Sequence, residues 1–193
     1  MSTDSVLRHH WFDRFLHWAF AGIILVLLFT GLLPPFGVQF DWVPVHWMGG
    51  ALLTGLTLIH IVRSLFFKSP GSMLPDRQDL HGKPGKYSLS QKAIHHVIAL
   101  VTLTALVTGG LMTVRVDTPF WERDPYWLNA ASWGNIYVLH GLMALGFVSL
   151  IMLHVYFALR PEKRMYLRAM FKGRISRAEY EREHDPARWP DHH

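Results

Sequence analysis

Four long apolar blocks constrain this chain more than any other feature of its sequence. They cover residues 15–36, 45–67, 94–114 and 136–159. The hydrocarbon core of a bilayer is roughly 30 Å thick, so a helix that rises 1.5 Å per residue needs about 20 apolar residues to cross it. Each block meets that length. The sequence therefore predicts an all-α integral membrane protein, with residues 1–193 forming one domain of four transmembrane helices in lipid.

The distribution of basic residues predicts the orientation of these helices. Seventeen of the 19 Lys and Arg residues lie before the first block, in residues 63–92, or after residue 159. Only Arg115 and Arg123 lie elsewhere, so the positive-inside rule places both termini and the middle connection in the cytoplasm. Basic residues at membrane flanks also explain the net charge of +5 without a nucleic-acid partner. Residues 160–193 are predicted to form a cytoplasmic amphipathic tail, with residues 175–183 as a short helix on the membrane surface.

The histidines indicate what the helices hold. The chain has 13 of them, and several lie inside the apolar blocks, where a polar side chain is costly unless it has a function. His140 and His154 are fourteen residues apart, which gives about 21 Å of rise on one helix face. Two imidazoles at two depths are what one helix needs to supply an axial ligand to each of two stacked haems. Because the chain has no cysteine, any haem is held without a covalent C-x-x-C-H attachment.

Matching depths predict the partners of these two ligands. His46 begins the second block at the outer end, at the depth of His140, so these two form the predicted outer pair. At the depth of His154, several histidines are candidates, and spacing alone leaves the choice open. The histidines at this inner depth are His17, His60, His95 and His96.

Two other interpretations of the histidines are possible, a zinc site and a non-redox membrane protein. A structural zinc site gathers its ligands at one point, whereas these histidines are spread over two levels. In a non-redox membrane anchor or a histidine-lined transporter the rings would only form interhelical hydrogen bonds. The four blocks contain no Asp or Glu, which a proton channel or transporter would need within the span. Electron transfer through haem is therefore the preferred interpretation.

Three sequence segments resemble a known family. Residues 12–18 read F-D-R-F-L-H-W, residues 86–92 read K-Y-S-L-S-Q-K, and residues 170–189 read M-F-K-G-R-I-S-R-A-E-Y-E-R-E-H-D-P-A-R-W. Together with His46 at the start of the second block, they resemble the cytochrome b (gamma) subunit of membrane-bound respiratory formate dehydrogenases over nearly the whole chain. The resemblance implies two haem b groups. It implies that His46 and His140 ligate the outer haem, and that His17 and His154 ligate the inner one.

The same resemblance implies a quinone site beside the inner haem. The residues that correspond to it are Ser88, Ser90, Gln91, Lys92 and His154. The first two differ from the family, which has asparagine and glycine there, so the choice between menaquinone and ubiquinone stays open. His60, His95 and His96 fall where the family needs no ligand and are second-tier candidates.

The implied function is electron transfer in a respiratory complex of the bacterial inner membrane. The implied partners are an iron–sulfur subunit and a catalytic subunit that carries molybdenum or tungsten. The chain itself is then an electron-transfer subunit of an oxidoreductase, with quinone reduction or quinol oxidation at its inner haem. The same design is shared by anchor cytochromes of hydrogenases and of thiosulfate or polysulfide reductases, and by free-standing quinol-oxidising cytochromes b. These remain alternative expectations.

Overall fold

Four long apolar helices dominate the fold. The computed structural model describes residues 5–67 and 70–190, and within them four helices are long and apolar enough to cross a membrane. They are α1 (Trp11–Leu32), α2 (Trp42–Phe67), α3 (Leu89–Met112) and α4 (Ala130–Leu159). Large apolar side chains on them are exposed, such as Met152 (69%) and Leu100 (66%), and lipid is the environment that accommodates such a surface. The predicted all-α membrane fold is confirmed.

Each of these helices begins before the apolar block that predicted it. The blocks begin at residues 15, 45, 94 and 136, whereas the helices begin at Trp11, Trp42, Leu89 and Ala130. Polar and aromatic residues at the edge of a membrane continue a helix without adding to its hydropathy. Hydropathy therefore located the spans and missed their first turns.

Polar contacts explain two of these early starts. Asp13, in the first turn of α1, forms an ion pair with Arg63 of α2 at 3.0 Å. Ser88 precedes α3, and its Oγ accepts from the backbone N–H of Gln91 at 3.4 Å, while the side chain of Gln91 accepts from the N–H of Ser88 at 3.0 Å. This reciprocal arrangement is a capping box, which defines where a helix begins.

The chain divides into two compact units. The first contains Met1–Trp18, His60–Val97 and Ile151–His193, and the second contains Ala19–Ile59 and Ile98–Leu150. All four long helices contribute residues to both units. The division does not test the single-domain prediction, which stays a prediction.

The first unit has a small core built from the two ends of the chain. Strand β1 (Ser5–Leu7) pairs antiparallel with strand β2 (Arg174–Ser176), and Val6 lies opposite Ile175. Two short helices, α5 (Arg164–Lys172) and α6 (Arg177–Glu183), flank β2. The side chains of Val6, Ala169, Ile175 and Tyr180 are buried together, and Trp189 packs against them.

This core changes the interpretation of the tail. The helix predicted over residues 175–183 begins instead at Arg177, because Ile175 belongs to a strand. Ile175 and Tyr180, the apolar side chains that predicted a membrane-surface helix, are 1% and 2% exposed. They pack inside the protein and are therefore not available to lipid. The amphipathic pattern of the tail reflects a protein core.

A buried arginine joins three segments of the first unit. Arg8 is 2% exposed and donates to the carbonyl of Lys86 at 2.8 Å and to Nε2 of His184 at 2.9 Å. Because an arginine can only donate, Nε2 must accept, so the proton is on Nδ1, which donates to the carbonyl of Gly85 at 2.7 Å. Burial, and then the charge of Arg8, lower the pKa of His184 to about 4. We call Arg8, Gly85, Lys86 and His184 the terminal clasp.

Candidate functional site

The outer pair lies in the second unit. The ring centres of His46 on α2 and His140 on α4 are 6.1 Å apart, and the ring planes are inclined by 74°. Two metal–imidazole bonds of roughly 2 Å each, added to the distances from each nitrogen to its ring centre, give a separation of about 6 Å. The two rings therefore have the spacing of axial ligands on opposite sides of one metal ion.

A threonine on a neighbouring helix holds each ring of the outer pair. The hydroxyl of Thr30 on α1 lies 2.9 Å from Nδ1 of His46. The hydroxyl of Thr108 on α3 lies 2.9 Å from Nδ1 of His140. Both contacts engage the same ring nitrogen and leave Nε2 for a ligand. Metal-binding histidines commonly have such a partner, which orients the ring.

A glycine follows each of these threonines and makes room for the ring. A Cβ atom added at Gly31 would lie 3.2 Å from Cε1 of His46, and one added at Gly109 would lie 3.1 Å from Cε1 of His140. Carbon atoms pack best at about 3.5–4.0 Å, so a side chain at either position would push the imidazole away. The ring of His46 thus packs against the Thr-Gly dipeptide of α1, and the ring of His140 packs against the Thr-Gly dipeptide of α3.

The inner pair lies in the first unit and has the same spacing. The ring centres of His17 on α1 and His154 on α4 are 6.1 Å apart, with the planes inclined by 43°. The buried Nδ1 of His17 has no hydrogen-bond partner in the part of the chain that the structure describes. The inner pair therefore has the separation of two axial ligands, and at His17 it lacks the hydroxyl partner that each outer ring has.

The second-tier histidines form another group in the first unit. The ring of His60 on α2 lies 6.0 Å from that of His95 on α3, and His95 lies 5.6 Å from His96. His96 donates from Nδ1 to the carbonyl of Lys92 at 2.8 Å. The structure thus sets His60 beside His95, and His17 beside His154. Of the inner histidines, it therefore favours His17 as the partner of His154.

The residues predicted to bind quinone have structural contacts of their own. Ser88 and Gln91 cap α3, and the hydroxyl of Ser90 lies 3.0 Å from that of Ser88. Lys92 is 5% exposed and donates to Asp79 at 2.7 Å and to a backbone carbonyl at 2.9 Å. These contacts order the start of α3. Quinone binding by these residues and His154 stays a prediction.

The donor set fits a haem better than a bare metal ion. Within residues 5–67 and 70–190 there is no group of three or more histidine, aspartate or glutamate side chains that could hold a metal ion. Each histidine pair supplies two nitrogens, and a porphyrin supplies the remaining four of a six-coordinate iron. Gly31 and Gly109 allow the imidazoles of His46 and His140 to lie close to the neighbouring helices. The two nitrogens of the outer pair therefore fit the chemistry of a bis-histidine haem site.

The contacts of Thr30 and Thr108 with the histidines were not predicted from the sequence. Thr30 and Thr108 each precede a glycine near the end of their helices, and this repeated dipeptide was a signal that could have been noticed. A threonine inside a helix usually bonds to its own backbone, so nothing in the sequence links either hydroxyl to a histidine of another helix. That link comes from the packing of α1 against α2 and of α3 against α4.

Comparison with known proteins identifies the family of this chain. The family model described as prokaryotic cytochrome b561 matches residues 8–173. The match includes all four long helices, both histidine pairs and the whole of α5. A search of curated proteins gives no match. Since the family model covers well over half of the 193 residues, the chain belongs to the prokaryotic cytochrome b561 family.

Proposed function

We propose that this chain carries electrons between a partner iron–sulfur subunit and the quinone pool of the bacterial inner membrane, using two haem b groups. Membership of the cytochrome b561 family makes it a membrane b-type cytochrome that takes part in electron transfer and binds haem b. The proposal adds the number of haems, their ligands and the two redox partners.

Two histidine pairs, each of which joins α4 to another helix, carry the proposal. The centres are 6.1 Å apart both for His46 and His140 and for His17 and His154. The two members of each pair come from different helices, and α4 contributes to both. His140 and His154 are fourteen residues apart on α4, which corresponds to about 21 Å of helix. Two sites at that spacing support electron transfer across most of a bilayer.

The protein would bind the haems, orient their ligands and shield them from water, and the haems, when bound, would accept and donate single electrons. The four histidines would hold the two haem irons through their imidazole nitrogens. Thr30 and Thr108 orient the rings of the outer pair. The apolar helices surround the sites with a medium of low dielectric constant, which together with the ligands tunes reduction potentials. We place quinone at the start of α3, near Ser88, Ser90, Gln91, Lys92 and His154, as the family resemblance implies.

Haem stoichiometry tests the ligand assignment. We expect two haem b per chain in the wild type, measured as the pyridine haemochrome of the purified protein. His46→Ala and His140→Ala should each remove the same haem, and His17→Ala and His154→Ala should each remove the other. Redox titration of each variant beside the wild type identifies which of the two components is left.

His60→Ala is the matched control for this experiment. His60 is an intramembrane histidine of α2 whose ring lies 6.0 Å from another imidazole, so its replacement tests whether ring proximity alone implies ligation. We expect this variant to keep both haems. If His60→Ala loses a haem and His17→Ala does not, the inner pair is assigned wrongly. A wild-type protein with one haem or none would contradict the proposal as a whole.

The partner is proposed to be a formate dehydrogenase. Support comes from the resemblance of residues 86–92 and 170–189 to the gamma subunit of those enzymes. Gentle solubilisation and affinity purification of the full chain should co-purify an iron–sulfur protein and a subunit that carries molybdenum or tungsten. Recovery of hydrogenase or sulfur-compound reductase subunits, or of the cytochrome alone with quinol-oxidising activity, would replace this partner and leave the haem assignment intact.

A further inference from the structure

Thr30 and Thr108 have the same hydrogen-bond geometry, although they lie on different helices. The hydroxyl of Thr30 is 2.8 Å from the carbonyl oxygen of Val26 and 3.2 Å from that of Leu27. The hydroxyl of Thr108 is 2.7 Å from the carbonyl oxygen of Thr104 and 3.2 Å from that of Ala105. In both cases the third neighbour, at 2.9 Å, is Nδ1 of a histidine.

Counting protons fixes the direction of these bonds. A hydroxyl carries one proton, and a carbonyl oxygen can only accept. The single proton of each threonine therefore goes to its own helix backbone, in the manner usual for threonine inside a helix. The lone pairs of the same oxygen then accept from the imidazole. It follows that Nδ1 carries the proton in both His46 and His140, and that Nε2 has its lone pair free.

We infer that Thr30 and Thr108 are positioning residues that set the tautomer of both axial ligands of the outer haem and lower its midpoint potential. The inference rests on the proposed pairing of His46 with His140. A hydroxyl that accepts from Nδ1–H makes the imidazole more basic. A more basic axial ligand donates more strongly to iron and favours the oxidised state, so loss of the hydroxyl raises the potential.

The two hydroxyls act on the ligands of one haem, so both threonine variants should affect the same redox component. Replacing either threonine should shift the same redox component, although the threonines are 78 positions apart on two helices. The haem of the inner pair should not respond, because the buried Nδ1 of His17 has no such partner in the described part of the chain.

Isosteric replacements separate the hydroxyl from the shape of the side chain. Thr30→Val and Thr108→Val keep the branched side chain and remove the hydrogen bond, whereas Thr30→Ser and Thr108→Ser keep the hydroxyl. Thr102→Val is the matched control: Thr102 also lies on α3 and is buried, and its hydroxyl donates to the carbonyl of Ile98 at 2.7 Å. The full-length protein is purified in detergent for each variant.

The readout is a spectroscopic redox titration with two one-electron components. The outer component is identified as the one that is lost in His46→Ala. A hydrogen bond contributes about 1 kcal/mol, and only the part of it that differs between the oxidised and the reduced state changes the equilibrium constant for reduction, by at most roughly fivefold. For a one-electron couple this is a rise of up to about 40 mV. We expect this rise in each valine variant, and the wild-type potential in the serine variants and in Thr102→Val.

Each other outcome overturns a defined part of the reasoning. If both haems are present and the valine variants titrate like wild type, the inference is wrong and the proposed function stands. If the two valine variants shift different components, His46 and His140 do not share a haem, and the proposed pairing fails. If a valine variant loses the outer haem, retention of that haem by the serine variant supports the inference, and loss in both variants overturns it.

Discussion

Gly109→Ala is expected to disturb the outer haem site, while the same change at the next residue is not. A Cβ atom at Gly109 would lie 3.1 Å from Cε1 of His140, whereas one at Gly110 would have no side chain of the protein within 4 Å. Since carbon atoms pack best at about 3.5–4.0 Å, the imidazole would have to move by roughly 0.4 Å or more. Gly110→Ala is thus a control on the same helix, one position away.

The expected difference in melting temperature follows from a comparison of Gly109→Ala with Gly110→Ala. Alanine stabilises a helix by about 1 kcal/mol relative to glycine, and this gain is common to both changes. Overpacking of a filled site costs about 1–3 kcal/mol and applies only to Gly109→Ala. For a chain of this length, 2 kcal/mol corresponds to a shift of roughly 6 °C in the midpoint of thermal unfolding. We expect Gly109→Ala to melt lower than Gly110→Ala by about that amount.

The assay is the thermal loss of the Soret band in detergent solution. Gly31→Ala and Gly22→Ala form a second matched pair on α1, because a Cβ at Gly31 would lie 3.2 Å from His46 and one at Gly22 would contact nothing within 4 Å. The electron paramagnetic resonance signal of the oxidised outer haem should change in Gly109→Ala and Gly31→Ala only. Equal melting temperatures and unchanged spectra in both pairs would refute the steric argument.

Three further predictions concern the first unit. The pKa of His184 is lowered from 6.5 to about 4 by burial and by Arg8. Between these two pH values the unfolded ring binds a proton that the folded ring does not, so the terminal clasp should lose about 3 kcal/mol of stability as the pH falls from about 6.5 to about 4. Protease cleavage of the tail should increase over that pH range. His184→Gln should abolish this pH dependence. Lys92→Met removes one of two cations beside the buried carboxylate of Asp79 and should lower the free energy of unfolding by about 3 kcal/mol. Adding Asp79→Asn should restore part of this loss. An unchanged melting temperature would show that the pair does not stabilise the fold. Gly173 has a φ of +79°, and an added Cβ would lie 2.8 Å from the carbonyl oxygen of His9. Gly173→Ala should therefore destabilise the pairing of β1 with β2 by about 1–3 kcal/mol, measured by amide hydrogen exchange; unaltered protection would contradict this.

Hydropathy and helical spacing were enough to predict the spans and to single out His140 and His154. Long apolar blocks have few alternatives in a membrane, because every backbone polar group must be bonded within the segment. The same reasoning could not decide between His17 and His60, since both lie at the inner depth. That choice depends on which helix faces α4 there, and the structure sets the ring of His17 beside His154.

The small core of the first unit could not be predicted. Strands of three residues carry too little pattern to recognise, and Val6 pairs with Ile175 across 169 positions of sequence. The apolar residues of the tail were therefore assigned to lipid, the nearest apolar environment that the sequence suggested. The buried Arg8 was equally hidden, because an arginine near a membrane flank is ordinarily explained by the positive-inside rule.

The pairing of β1 with β2 determines when the core of the first unit can form during protein synthesis. A chain that emerges from its N-terminus exposes Val6 long before Ile175 has been made, and all four membrane spans lie between the two residues. The strand pair and the terminal clasp therefore form only after the last span has been synthesised. Until then Arg8 has no His184 to bond, so a chain that stops before the tail cannot complete the terminal clasp.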